Sequence, residues 1–228
     1  MAPRVTVLQL DTEFPRIPGD VGCPETYVGA VDIIRIPGAT VGHVVSDRPD
    51  LIDIVPFERA VRAAQGDVIV TSCGFLSYWQ DHLAELTPKP FISSALTALD
   101  RLRVTAAPGQ VLILTFDAAR LRLIHLGAHG AYACGVVGLP GSMHLRQVIE
   151  HNQATLDTAR AEAELVALLK AQQLGAHTHL LLECTNLPPY KAALHAVSKL
   201  PVSDILTEIE SVCPGAVRDP FLAGFRGR

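Results

Sequence analysis

Twice in this chain an apolar run stops at a cysteine and gives way to a turn. The first copy is Asp67-Val68-Ile69-Val70-Thr71-Ser72-Cys73-Gly74-Phe75-Leu76. The second is His179-Leu180-Leu181-Leu182-Glu183-Cys184-Thr185-Asn186-Leu187-Pro188-Pro189-Tyr190. Each run is short, bounded and almost uniformly apolar, the pattern of a strand buried on both faces of a parallel sheet. Ligands of such sheets gather just outside the carboxyl ends of the strands, so Cys73 and Cys184 fall where chemistry is usually done. A lone cysteine at the end of a buried strand is more often packing than function. Two in matching positions shift the balance towards function.

Around these two runs the chain alternates strand and helix patterns. Val5 to Leu10 reads as a first strand, followed by a loop, 11–24, fixed by three prolines and two glycines. Ordered loops of that length after a first strand are often binding elements, and otherwise surface excursions. Ala30 to Ile36 is a second strand, Phe57 to Gln65 a helix, and Phe75 to Leu86 a helix with one apolar face. Phe91-Ile92 opens a second half. Ser93 or Ser94 caps a helix from Ala95 to Val104, Val111 to Phe116 is a buried strand, and Asp117 caps an apolar helix through Leu126. Tyr132 to Val137 reads as a further strand with Cys134 in the core, and Leu145 to Leu174 as one long, proline-free helix. Helices over Tyr190–Leu200 and from Ile205 to Cys213 complete the pattern. The alternation argues an α/β fold with parallel sheets, in two halves, 1–92 and 93–204, with the segment 205–228 packing back on the first.

Composition narrows the function classes. With 49% hydrophobic and 18% charged residues the chain has material for a sizeable core. A net charge of −4 gives no general attraction to nucleic-acid phosphates. No apolar stretch is long enough to span a membrane, and the opening Met1-Ala2-Pro3-Arg4 leads straight into a strand pattern, so a cytoplasmic protein is expected. Five cysteines without a C-x-x-C pair argue against a disulfide framework or a zinc finger. Gly135 to Gly141 lacks dinucleotide spacing. None of the nine histidines stands in a pattern that marks catalysis.

Cys73 precedes Gly74 and a helix start, where unsatisfied N–H groups favour thiolate. Cys184 precedes Thr185-Asn186, whose side chains can cap a helix or hydrogen-bond a carboxylate. The loop Asp11 to Gly22, the segment Ser72-Cys73-Gly74-Phe75 and the segment Glu183 to Tyr190 together resemble the aspartate/glutamate/hydantoin racemase superfamily, in order and through nearly the whole chain. The resemblance implies two similar Rossmann-like α/β lobes with the active site between them, no cofactor, and one catalytic cysteine from each lobe, here Cys73 and Cys184. It also implies a homo-oligomer as a common state. At the position of Cys23 such relatives commonly carry asparagine, so a polar contact is changed there or a third thiol reaches the site.

Inverting a carbon needs a proton taken from one face and another delivered to the opposite face, a task that two facing thiols can share. Charge then gathers on the substrate carboxylate, where backbone N–H groups of Gly74, Phe75, Thr185 and Asn186 are expected, with Thr115 at the end of its strand. Asp11 and Arg16 match the first-loop region of the racemase superfamily. The resemblance implies that Asp11 orients a substrate ammonium or a thiol and that Arg16 binds a carboxylate, a solvated arginine being the alternative. The leading expectation is a cofactor-independent racemase or epimerase acting on an amino acid or related small carboxylate. The alternatives are a decarboxylase or cis–trans isomerase of a small dicarboxylate, and a non-catalytic carboxylate-binding protein.

Overall fold

A computed structural model describes residues 2–224. Among these residues eight strands form two four-stranded sheets, parallel throughout. β1 (Val5–Gln9), β2 (Val31–Arg35), β3 (Val68–Thr71) and β4 (Phe91–Ile92) lie in the order β2-β1-β3-β4. β5 (Val111–Thr115), β6 (Val136–Gly138), β7 (His179–Leu182) and β8 (Val202–Asp204) repeat it as β6-β5-β7-β8. The fold is the two-lobed α/β arrangement that the sequence implies. β1, β3, β5 and β7 sit centrally and are buried almost throughout, which is why their sequences are apolar without alternation. β2, at an edge, is half exposed and carries Asp32 and Arg35.

Among the described residues nine α-helices, mostly short, cover the sheets: α1 (Val41–Val44), α2 (Val55–Ala63), α3 (Gln80–Ala84), α4 (Leu99–Leu102), α5 (Leu123–Leu126), α6 (His144–Glu150), α7 (Thr158–Lys170), α8 (Lys191–Ser198) and α9 (Ile205–Val212). α2 buries Phe57, Ala60 and Val61 and packs against β1. Fully burying a side chain of the size of Phe57 or Val61 contributes about 1.5–3 kcal/mol.

The lobes exchange elements. The chain leaves β4 through a capped turn in which the Ser94 hydroxyl accepts the Leu96 N–H, and the 3-10 segment Ala95–Ala98 packs on β7 and β8 of the other lobe. The chain leaves β8 through a second cap, Asp204, whose carboxylate accepts the Thr207 N–H at 2.9 Å, and α9 packs on β3 and β4 of the first lobe. Asp204 also pairs with Lys191 at 2.6 Å, and both side chains are almost fully buried. Beyond α9, Tyr27 and Val217 form a β-bridge, while Lys191 Nζ donates to the Phe221 carbonyl. Residues 225–228, the end of the segment 205–228, lie outside the described residues.

Four local expectations are corrected. The tract 145–174 is two helices: α6 ends at Glu150, Asn152 takes a left-handed φ of 50°, and α7 restarts at Thr158 on its Asp157 cap. Asn152 earns its conformation with a long-range role, because its carbonyl oxygen accepts the Glu13 and Phe14 N–H groups of the other lobe. After β5 a turn on Asp117 replaces the expected helix, which shrinks to α5, since Asp117 is drawn to Arg146 at 2.8 Å. Of the expected strand Tyr132 to Val137 only Val136 and Val137 are strand, in β6, while Tyr132 to Gly135 belong to a 3-10 segment and Cys134 is exposed rather than core. Phe75 to Leu86 begins as a 3-10 segment, Gly74–Trp79, before α3. No helix among the described residues is long and apolar enough to cross a membrane.

Candidate active site

β3 ends at Thr71 and β7 at Leu182, so Cys73 and Cys184 follow their strands at the same distance. Both line one cavity of about 30 Å³ between the lobes. Both turns are built alike: Leu76 N–H closes on the Cys73 carbonyl at 3.2 Å, and Leu187 N–H on the Cys184 carbonyl at 3.0 Å. In each, a backbone N–H from two residues further on reaches the sulfur, that of Phe75 for Cys73 and that of Asn186 for Cys184. Gly74, Phe75, Thr185, Asn186 and Arg16 line the same cavity. The rest of its lining is Ser72, Glu183 and an apolar wall, chiefly Phe14, Phe116, Val41, Val45 and Ile149.

The expected lowering of the Cys73 pKa is not what the surroundings produce. Burial and the neighbouring Glu183 push it up to about 12, against the smaller pulls of the Phe75 N–H and the Arg16 charge. Cys184 is raised too, again by burial first and by Glu183 second. A single N–H per sulfur does not offset desolvation of a thiolate.

Arg16 is part-buried rather than solvated, with 9% of its side chain exposed. Its guanidinium donates to Asp20 at 3.1 Å and to the Thr12 hydroxyl at 3.2 Å, and stacks 4.3 Å over the Phe14 ring. Its Nε is buried with no partner among the described residues. Asp20 also accepts from Asn186 Nδ2 at 2.6 Å, so an Arg16–Asp20–Asn186 chain ties the first loop to the Cys184 turn. Thr185 adds a second tie, its hydroxyl donating to the Ser72 carbonyl at 2.7 Å.

Two expected site residues stand apart. Asp11 lies outside the cavity, where the Gly38 N–H and Arg35 take its carboxylate and hold its pKa below the ordinary value. Thr115 does not line the cavity but donates to Glu183 Oε2 at 2.6 Å. Cys23 is buried away from the cavity, its thiol donating to Glu25 and its pKa raised to about 11 by burial.

Three residues escaped sequence reasoning. Glu183 is fully buried at the cavity, its pKa raised to about 7 by burial. The available signal was a lone charge inside an apolar run, which needs a special environment. Asp20 and Asn152 gave no comparable signal, because their partners are far away in sequence. Among the described residues no group of three or more His, Cys, Asp or Glu is placed to hold a metal ion.

Comparison with known proteins follows from this geometry. No protein-family model matches the chain. Over 237 residues it is 28% identical to a dimethylsulfoniopropionate lyase from Durusdinium sp. clade D, covering 94% of this chain and 75% of that one. Over 239 residues it is 29% identical to dimethylsulfoniopropionate lyase 7 from Emiliania huxleyi, covering 96% and 68%. Among solved structures, allantoin racemase from Pseudomonas fluorescens superposes with a TM-score of 0.57 at 14% identity, covering 99% of this chain and 98% of that one. Allantoin racemase from Klebsiella pneumoniae gives 0.56 at 15% identity, with 100% and 95% covered. Glutamate racemase from Campylobacter jejuni gives 0.53 at 13% identity, with 95% and 88% covered. The fold is that of the aspartate/glutamate/hydantoin racemases, as the sequence resemblance implied.

Proposed function

We propose that this chain is a cofactor-independent carbon–acid enzyme in which a cysteine removes the α-hydrogen of a small carboxylate, and that the outcome is β-elimination from a sulfonium substrate of the dimethylsulfoniopropionate type. The observation that carries the proposal is the meeting of two buried thiols with Arg16 in a cavity walled largely by aromatic and aliphatic side chains. The unpartnered Arg16 Nε and the N–H groups of the two cysteine turns suit a carboxylate. What the cavity lacks is an accessible anion for an α-ammonium. Asp11 is spent on Arg35 outside it, Asp20 on Arg16 and Asn186, and Glu183 is fully buried, with one oxygen on Thr115 and the other against the Cys73 turn. An ammonium buried there leaves its N–H donors unsatisfied. A sulfonium has none and needs only ring faces of the kind Phe14 and Phe116 supply. The sequence relatives named as dimethylsulfoniopropionate lyases support the same choice.

In the proposed reaction a thiolate takes the α-hydrogen, and the C–H electron pair forms the C=C bond as the β C–S bond breaks. The sulfur leaves as a neutral sulfide and an acrylate remains. One base suffices, and the second thiol faces the other side of the planar intermediate.

Racemisation is the second reading, favoured by the pairing of the thiols across the lobes and by the racemase fold. The deciding experiment incubates the purified chain with dimethylsulfoniopropionate and measures headspace dimethyl sulfide. In parallel, chiral analysis follows aspartate, glutamate and allantoin, with deuterium exchange in D₂O. Sulfide release that vanishes in a Cys73→Ala/Cys184→Ala double variant is the expected result. Inversion of a stereocentre without sulfide release overturns elimination in favour of a racemase. Thermal stabilisation by a carboxylate with no turnover at all overturns both and leaves a binding protein.

A further inference from the structure

Glu183 has no part in the thiol chemistry so far, yet among the described residues it is the carboxyl that lines the thiol cavity. Its side chain is fully buried, one oxygen accepts from Thr115 at 2.6 Å, and the other, Oε1, is buried with no partner. Oε1 lies directly against the turn that carries Cys73: a Cβ built on Gly74 would come within 2.0 Å of it. Covalent continuity places the same residue next to Cys184. Glu183 is thus wedged between the two thiol turns, one oxygen anchored and one idle, a costly arrangement for an ionised carboxylate.

We propose that Glu183 is a positioning residue that shares one negative charge with the thiol pair, so that a cysteine becomes thiolate only as Glu183 takes up the proton. The transfer is internal and balanced: an S–H bond breaks, an O–H bond forms on the carboxyl, and the charge moves from oxygen to sulfur. Burial disfavours every ionised form here, so two charges side by side are worse than one. The charge on Glu183 raises both thiols, and its own pKa is lifted to about 7. Other charged groups around the cavity leave room for this exchange. Arg16 favours ionisation of Cys73, Asp20 opposes that of Cys184, and the two are paired with each other. Asp204 at the end of β8 is paired with Lys191, Asp117 after β5 with Arg146, and His125 of α5 packs edge-on against Phe75.

The inference rests on the proposed role of the two thiols, but its test needs no turnover. The pH midpoints for alkylation of Cys73 and Cys184 by iodoacetamide are measured by peptide mass spectrometry in the native chain, in Glu183→Gln and in Thr115→Val. Gln keeps the volume and the acceptor for Thr115 but cannot ionise. Its thiol midpoints are expected to fall by about one pH unit, seen as about tenfold faster alkylation below both midpoints. Thr115→Val removes the hydrogen bond that favours ionised Glu183, so the midpoints fall in the same direction by less. Midpoints equal to the native ones in Glu183→Gln overturn the proposal. If that variant does not fold, unshifted midpoints in Thr115→Val overturn it instead. Failure of sulfide release with shifted midpoints counts against the elimination reading alone.

Discussion

The two cysteine turns share a backbone and divide in their side chains. Both follow a central strand, both close an N–H on the cysteine carbonyl, and both aim one N–H at the sulfur. On the β3 turn the residue before the cysteine is Ser72, whose hydroxyl accepts the Leu10 N–H, and the residue after it is Gly74. On the β7 turn these places belong to Glu183 and Thr185. The differences interlock: Gly74 makes the space that Glu183 fills, and Thr185 reaches back to the Ser72 carbonyl. A symmetric pair of thiols is therefore held in an asymmetric electrostatic setting. Only Cys73 feels the Arg16 charge as a help, and only Cys184 feels Asp20 as a hindrance. A racemase must use both thiols in turn, whereas an elimination needs one base, so unequal turns fit the second task better.

The sharpest way to break the comparison is to remove the thiols singly. Under elimination, the variant lacking the base, Cys73→Ala or Cys184→Ala, loses about 10²- to 10⁴-fold in kcat for sulfide release. The variant lacking the other thiol loses markedly less. Steady-state rates of the two variants test this, and equal losses would make the turns functionally equivalent despite their different side chains.

A second test uses stability instead of rate. An acid whose folded pKa is raised, as that of Glu183 is from 4.5 to about 7, makes the folded state bind protons more tightly than the unfolded chain does. The corresponding stability is fully present below pH 4.5 and is lost as pH rises through about 7, by an amount on the order of a few kcal/mol. Urea unfolding between pH 4.5 and 8 should show this decline in the native chain and a flatter profile in Glu183→Gln. Ser72, at the matching place on the other turn, has nothing to titrate. A decline of equal size in Glu183→Gln would locate the titrating group elsewhere.

Much of this was legible in the sequence, for a physical reason. A strand buried on both faces must be apolar along its whole length, so β1, β3, β5 and β7 announced themselves, and with them the places of Cys73 and Cys184. Arg16 was readable as a site residue only through family resemblance, and its buried pairing with Asp20 only through the fold. What the sequence hid depends on distant partners. Between Leu145 and Leu174 the break is marked only by Asn152, which tolerates a left-handed φ, and by the cap Asp157, weak signals in a proline-free tract. The stop at Asn152 is fixed by two N–H groups of the other lobe. Asp11 carried a family expectation, yet Arg35 on β2 draws it out of the cavity. The pKa of Cys73 went the opposite way from expectation because local sequence shows the N–H groups of a turn but not the depth of burial or the charge of a residue from the other sheet.

Gly74→Ala tests the interlock between the turns. The new methyl group meets the Glu183 carboxyl and its backbone carbonyl, the latter at 2.7 Å, so backbone or carboxyl must shift. Overpacking of this kind costs about 1–3 kcal/mol, and here it should also disturb the pH profile that Glu183 sets. Thr185→Ala at the matching position adds no atoms and removes one hydrogen bond between the lobes, with a net cost of about 1 kcal/mol. Urea denaturation of both variants should give the larger loss for the glycine, although that change adds one carbon and the threonine change removes a methyl group and a hydroxyl.

The smallest expected effect probes what Ser72 does that Glu183 does not. Its hydroxyl accepts the buried Leu10 N–H at 3.0 Å, closing the end of β1 onto the end of β3 where the first loop departs towards Arg16. Ser72→Ala leaves that N–H without its acceptor, and the penalty is about 1 kcal/mol, the low end for an unsatisfied buried donor at a site that can relax. Ser72 bears no charge, so its loss should leave the alkylation midpoints of both thiols where they are while lowering urea stability slightly. Shifted midpoints in Ser72→Ala would mean that backbone position at the β3 turn, rather than the carboxyl on the β7 turn, governs the thiols. Unshifted midpoints there, beside shifted ones in Glu183→Gln, would confine the electrostatic control to one lobe.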